Sequence, residues 1–260
     1  MDLTGPDPTP RHGSHVGESA SVHRRLGARA SYSEEIESSL RNTWFMGLAL
    51  FDLDNTLIDR EAAFRRWSQA FICTHGLPEE AWPFMESADQ DGMTPKEVFF
   101  AEIRSAFDIS TGIEELMNRY YVDYPACYNV DPRTVAGLRQ LRAREWRIGV
   151  ITNGGPAQLA KLEATNLIQH VDAICVSEVV GASKPDPAIF KMAAELCERP
   201  LEGWMTGDSA SADIAGGRGV GLRTIWIARG RSWAPSDSAP DAMVASVPQA
   251  IKIILESGSR

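Results

Sequence analysis

Two carboxylates, Asp52 and Asp54, stand one residue apart at the end of an apolar run, Leu48 to Phe51, and Thr56 follows two residues later. In an extended chain, positions i and i+2 point the same way, roughly 6 to 7 Å apart at about 3.3 Å per residue, so both acids address one small substrate or metal. Two like charges at the end of a buried strand are costly unless a cation or a proton lies between them. The pair therefore asks for a partner.

Three later segments offer one. Thr152-Asn153-Gly154-Gly155 follows an apolar run ending at Ile151 and puts a hydroxyl and backbone N–H groups ahead of a helix start, a suitable cradle for a phosphate oxygen. Ser183-Lys184-Pro185-Asp186-Pro187 holds a lysine just before two prolines and a helix. Gly207-Asp208-Ser209, with Asp213 four residues further on, follows the run around Trp204 to Thr206. Each has an ordinary alternative: a turn into a helix for Thr152 to Gly155, a solvated loop lysine for Lys184, a helix cap for Ser209.

The elements that must position these residues are legible as patterns. Arg60 to His75 carries Ala63, Phe64, Trp67, Ala70 and Phe71 at helical spacing and stops at Gly76. Helices are also expected over Pro78 to Ala88, over Thr94 to Phe107 with Thr94 as N-cap, and over Glu114 to Tyr121. The stripe Phe64, Trp67, Phe71 reads as the core of this helical block. From Asp131 the pattern becomes alternating helix and strand: strands at Arg147 to Ile151, Asp172 to Val176, Gly203 to Met205, Leu222 to Ala228 and Ala242 to Ala245. Helices are expected at Asp131 to Arg144, Pro156 to Asn166, Pro187 to Cys197, Ser211 to Arg218 and Pro248 to Glu256. That alternation predicts an α/β fold, a Rossmann-like doubly wound, mainly parallel sheet, with its ligand site beyond the carboxyl ends of the strands.

Composition narrows the functional classes. A hydrophobic share of 43% and a charged share of 23% suit a soluble globular protein, and the net charge of -9 argues against a sequence-independent grip on nucleic acid. No apolar run approaches the roughly 18 residues of a membrane span, and the reading is a cytoplasmic protein with no membrane partner. Cys73, Cys127, Cys175 and Cys197 have no paired spacing for zinc or a redox couple and read as buried free thiols. Residues 1–45 are rich in Pro and Ser with few large apolar side chains, and are expected to be a disordered extension with at most a short helix at Tyr32 to Leu40. Met46 is a candidate native start.

Taken in order, Asp-x-Asp-x-Thr, Thr-Asn-Gly, Lys-Pro and Gly-Asp-x-x-x-x-Asp resemble the four motifs of the haloacid dehalogenase-like hydrolase superfamily, over Met46 to about Glu256. The resemblance implies a core of residues 46–59 and 131–260, a C1-type helical cap of residues 60–130, and adjacent strands carrying Asp52 and Asp208. It further implies Mg²⁺ on the Asp52 carboxylate, the Asp54 backbone carbonyl and the Asp208 carboxylate, an oxygen set that a hard cation prefers. Asp52 would attack phosphorus to form an aspartyl-phosphate, and Asp54 would serve as acid and then base. Lys184, Thr152 and the Asn153 and Gly154 amides would hold the phosphoryl oxygens, with Asp213 and Ser209 supporting the metal end and Thr56 orienting the loop or Asp54. The implied activity is a phosphatase acting on a small phosphorylated metabolite, of the sugar phosphate or nucleoside monophosphate class. A phosphomutase shares every one of these residues. A haloacid dehalogenase needs neither Asp54 nor Asp208, and a non-catalytic phospho-ligand sensor predicts a missing charged residue where none is missing. Asp59, Arg60, Glu61 and Arg65, just past the first motif, are the candidates for specificity. Oligomeric state is not encoded in any pattern found.

Overall fold

The computed structural model describes residues 47–234 and 239–258. The expectations for residues 1–45, the helix at Tyr32 to Leu40 and the start at Met46 fall outside the described residues. Six strands form one sheet in the order β3-β2-β1-β4-β5-β6: β1 Leu48–Phe51, β2 Arg147–Thr152, β3 Ala173–Val176, β4 Gly203–Gly207, β5 Arg223–Ile227 and β6 Ala242–Val244. Every neighbouring pair is parallel. The order runs outward in both directions from β1, so the switch point of the sheet, where such folds place their ligands, is the end of β1 itself.

Strand alternation builds the two layers. Leu48 and Leu50 share a buried cluster with Ile189, Phe190 and Ala193. Ala49 and Phe51 join Leu138, Leu141, Ile251 and Ile254 in the other. The helices carrying those partners are Pro132–Ala143, Pro187–Leu196 and Val247–Ser257. Between β1 and β2 lie α1 Arg60–His75, α2 Ala81–Asp89, α3 Lys96–Ala106 and α4 Ile113–Asp123. Asp59 caps α1 by accepting from the Ala62 N–H at 3.0 Å, and Gly76 ends it at φ +61°. The aromatic stripe is core: Trp67 lies 5.9 Å from Phe64, 5.1 Å from Phe71 and 4.9 Å from Tyr120, ring centre to ring centre, stacked on the first and edge-on to the last. Among the described residues no helix is long and apolar enough to cross a membrane.

Some local expectations change. Helix α3 starts with Pro95 rather than Thr94 at the cap and has no side-chain cap, while the Thr94 N–H bonds the Asp89 carbonyl at 3.3 Å. The helix expected at Ser211 to Arg218 begins instead as a wide turn over Ala210–Ile214, continued by a short helix Ala215–Gly219. A one-turn helix, Ser177–Val180, follows β3 and was too short to leave a periodic signal. All four cysteines are free, but only Cys175 and Cys197 are buried, with Cys73 exposed.

The register between β1 and β4 sets the site. Phe51 pairs with Thr206, so Asp52 leaves the sheet level with Gly207, and Asp208 follows one residue further on the neighbouring strand. Gly203 opens β4 at φ +147°, and a Cβ there would lie 1.9 Å from the Leu48 carbonyl oxygen, in the middle of the sheet where neither backbone can give way. Gly203→Ala is expected to destabilise the protein by about 3 kcal/mol, read as a lowered midpoint in thermal unfolding.

Candidate active site

β1 ends at Phe51, and Asp52 lies at the point where the chain leaves the sheet, its N–H still bonded to the Thr206 carbonyl at 2.9 Å. The extended geometry expected through Asp54 gives way to a tight turn. The Thr56 and Ile58 N–H groups both bond the Leu53 carbonyl, and Asn55 takes φ +58°. Leu53, fully buried, anchors the turn between the two acids. Asp52 and Asp54 nevertheless face one cavity, brought there by the turn rather than by strand alternation. The Thr56 hydroxyl is buried and bonds neither Asp54 nor any other group, so the turn is held by the backbone and not by this side chain.

Lys184 is the central cation. Its ammonium, almost wholly buried, donates to Asp52 Oδ1 at 2.6 Å and to Asp213 Oδ1 at 2.7 Å. Asn153 fixes the lysine backbone with a reciprocal pair, Nδ2 to the Lys184 carbonyl at 2.9 Å and the Lys184 N–H to Oδ1 at 2.8 Å. Asp213 spends its second oxygen on the Ser209 N–H at 3.0 Å, and Ser209 in turn caps the wide turn through the Ala212 N–H. That turn has an extra residue, the kind of helix irregularity often found where a side chain must be re-aimed at a site. Gly207 makes room for it: a Cβ there would lie 2.2 Å from Asp213 Oδ2.

Burial raises the Asp52 pKa from the ordinary 3.8 to about 7, opposed by Lys184 and reinforced by Asp213. The direction follows from charge, because one ammonium serves two buried carboxylates. Burial works against the Lys184 charge, yet Asp213 and Asp52 together lift its pKa above the usual lysine range. Asp208 is raised too, by burial and by Asp213, against Arg231. Arg231 bonds Asp208 Oδ2 at 3.1 Å and the Asp208 carbonyl at 2.8 Å, and its guanidinium lies 5.3 Å from the Trp226 ring centre.

Carboxylate oxygens of Asp52, Asp208 and Asp213 lie within 4.8 Å of one another. Three acids against one buried ammonium and one rim guanidinium leave an excess of negative charge, and oxygen donors at this spacing fit a divalent cation. Asp213, with both oxygens engaged, is placed to support such an ion at one remove.

The cavity, about 770 Å³, is of ligand size. Thr152, Asn153, Gly154, Lys184 and Ser209 line it beside the acids. The Gly154 N–H is taken by Ser177 Oγ at 2.9 Å, and Asn153 bonds Lys184 through its side chain. Of the four specificity candidates only Arg60 reaches the cavity. Asp59, Glu61 and Arg65 line a separate groove with Arg229, which bonds Asp59 at 3.1 Å and Glu61 at 2.9 Å. Arg60 is buried and paired with Asp89 and, at 2.7 Å, with Asp91, while Lys96 shares Asp89.

Several lining residues carry no sequence motif: Gln158, Lys161, Lys96, Tyr120, Tyr124, Tyr128, Trp226 and Arg231. Gln158 and Lys161 had one usable signal, a three-residue spacing on the helix Ala157–Ala164 just after the Thr152 to Gly155 turn.

Residues 46–221 match the haloacid dehalogenase-like hydrolase family, and the chain belongs to it. The chain is 31% identical over 195 residues to a phosphoserine phosphatase of Thermus thermophilus, spanning 71% of this chain and 76% of that protein. It is also 31% identical to an N-acylneuraminate-9-phosphatase of Mus musculus, over 76% of this chain and 89% of that one. A phosphatase structure from Thermococcus onnurineus superposes with a TM-score of 0.57 at 28% identity, covering 80% of this chain and 97% of the other.

Proposed function

We propose that the chain is a Mg²⁺-dependent phosphatase that hydrolyses a small phosphorylated metabolite through an aspartyl-phosphate on Asp52. The observation that carries this reading is the convergence of four separate segments at one end of the sheet, with Lys184 bonded to both Asp52 and Asp213 and Asp208 within 4.8 Å of them. Relatives named as phosphatases support it.

Asp52, Asp208 and the Asp54 carbonyl would hold the metal, which when bound supplies charge neutralisation for a dianionic phosphate. Asp52 attacks phosphorus in line. Lys184 and the Thr152 hydroxyl hold the equatorial oxygens, where charge builds in the transition state. Asp54 gives its proton to the leaving alcohol and then takes one from the water that cleaves the acyl phosphate. A cavity of about 770 Å³ beneath the α1 to α4 block accommodates a metabolite of sugar phosphate or nucleoside monophosphate size.

The test is a screen of phosphorylated metabolites for released phosphate, with and without Mg²⁺. Metal-dependent release from a sugar phosphate or a nucleoside monophosphate is the expected outcome. Release unaffected by a chelator, or none from any monoester, overturns the reading.

A further inference from the structure

The Asp54 carboxylate does not hold itself. It projects from a turn whose backbone is constrained but whose side chain is not, and Thr56 does not touch it. The hydrogen bonds it receives come from the helix Ala157–Ala164, about a hundred residues further on in the chain. Lys161 Nζ lies 2.8 Å from Oδ1 and 2.6 Å from Oδ2. Gln158 Nε2 lies 2.8 Å from Oδ2 and also 2.8 Å from the Thr152 hydroxyl. Both side chains are largely buried, and the Lys161 ammonium also lies over the Tyr128 ring, 5.5 Å from its centre.

A cation that grips both oxygens of a carboxylate fixes the plane of that group as well as its position. Gln158 adds a third contact and ties that plane to the Thr152 hydroxyl at the phosphate end. We propose that Lys161, assisted by Gln158, is a positioning residue that aims Asp54 at the leaving-group oxygen. The proposal rests on the phosphatase reading above, in which Asp54 is the acid. In the step it serves, an Asp52 oxygen forms its bond to phosphorus and the P–O ester bond breaks. The departing electron pair goes to the ester oxygen, which takes the Asp54 proton. A misaimed Asp54 harms that step in proportion to the leaving group's need for a proton. An alkoxide needs one; a p-nitrophenolate does not.

The experiment compares kcat/KM of wild type, Lys161→Met and Lys161→Arg on an alkyl phosphate found by the screen and on p-nitrophenyl phosphate, with Mg²⁺ saturating. Lys161→Met is expected to lose about 100-fold on the alkyl ester, as general acid catalysis typically contributes, and less than about fivefold on the aryl ester. Lys161→Arg, which can again grip both oxygens, is expected to recover part of the alkyl activity and bring the ratio back toward wild type. Equal losses on the two esters in a cooperatively folded Lys161→Met protein, or no loss on either, overturn the proposal. If thermal unfolding shows that Lys161→Met does not fold, Lys161→Gln is read by the same criterion. A screen that finds no alkyl phosphate hydrolysed by the wild type, together with no activity on p-nitrophenyl phosphate, overturns the phosphatase reading itself, a result distinct from an active enzyme with unselective losses.

Discussion

Asp52→Asn is expected to lower phosphatase activity by at least about 10⁴-fold, a loss of the size seen when a covalent nucleophile is removed. The amide has nearly the shape of the carboxylate but cannot attack phosphorus. Folding is not expected to suffer, because Lys184 keeps Asp213 as its ion-pair partner and the Asp52 N–H still bonds Thr206. The stability sign runs the other way. Asp52 has its pKa raised by burial from 3.8 to about 7 in the folded protein, so the folded state binds a proton more tightly than the unfolded chain between those values. Its contribution to stability is present at low pH and is lost as pH rises toward 7. Above 7, without metal, the native protein carries the cost of an ionised, buried carboxylate that Asn avoids. The expected result is an inactive protein with an unfolding midpoint equal to or above wild type at pH 8 in chelator. Turnover by Asp52→Asn reduced by much less than about 10⁴-fold, or a collapsed midpoint, overturns the assignment of Asp52 as nucleophile.

This assignment was within reach of the sequence because strand ends are local. An apolar run, an acid and a following turn are all written within a dozen residues, and the family resemblance implied the neighbouring strands that bring Asp208 alongside Asp52, which the parallel β1–β4 pairing shows. Side chains that cross between elements are not local. Lys161 reaches Asp54 from 107 residues away, and Arg231 reaches Asp208 over the Trp226 ring. The spacing of Gln158 and Lys161 marks a shared helix face but not what it faces, and Arg231 leaves no pattern at all, since each pairing depends on where two helices or loops finally rest. The specificity candidates show a different kind of miss. Arg60 shares its helix face with Ala63, Phe64 and Trp67, at spacings of three, four and seven, and that face is buried. Glu61 and Arg65, four apart on another face, pair with one another and look out. The helical period held that distinction, and proximity to the first motif obscured it. The geometry of the turn at Leu53 was not accessible at all, because an extended pair and a turned pair of acids read identically as Asp-x-Asp.

Removing the metal is expected to abolish turnover, and the affinity for Mg²⁺ is expected to depend on pH in a direction set by Asp52. In the metal-free protein burial raises this carboxyl to about 7, and Asp208 is raised as well, first by burial and then by Asp213. Below pH 7 a proton occupies the oxygen that the cation needs, so metal binding must expel it. For one such proton the apparent dissociation constant for Mg²⁺ rises about tenfold for each pH unit below 7 and levels off above it. Protonation of Asp208 steepens the dependence at the acid end. Saturating Mg²⁺ acts in reverse, holding Asp52 ionised and moving the acid limb of the activity profile below 7. Titrating activity with Mg²⁺ at pH 5.5, 6.5 and 7.5 separates the two effects: the half-saturating concentration is expected to fall with rising pH, while the plateau activity changes far less. A half-saturating concentration that does not change between pH 5.5 and 7.5 would show that the cation does not bind at Asp52, and with it the link between the buried carboxylate and the metal would fail.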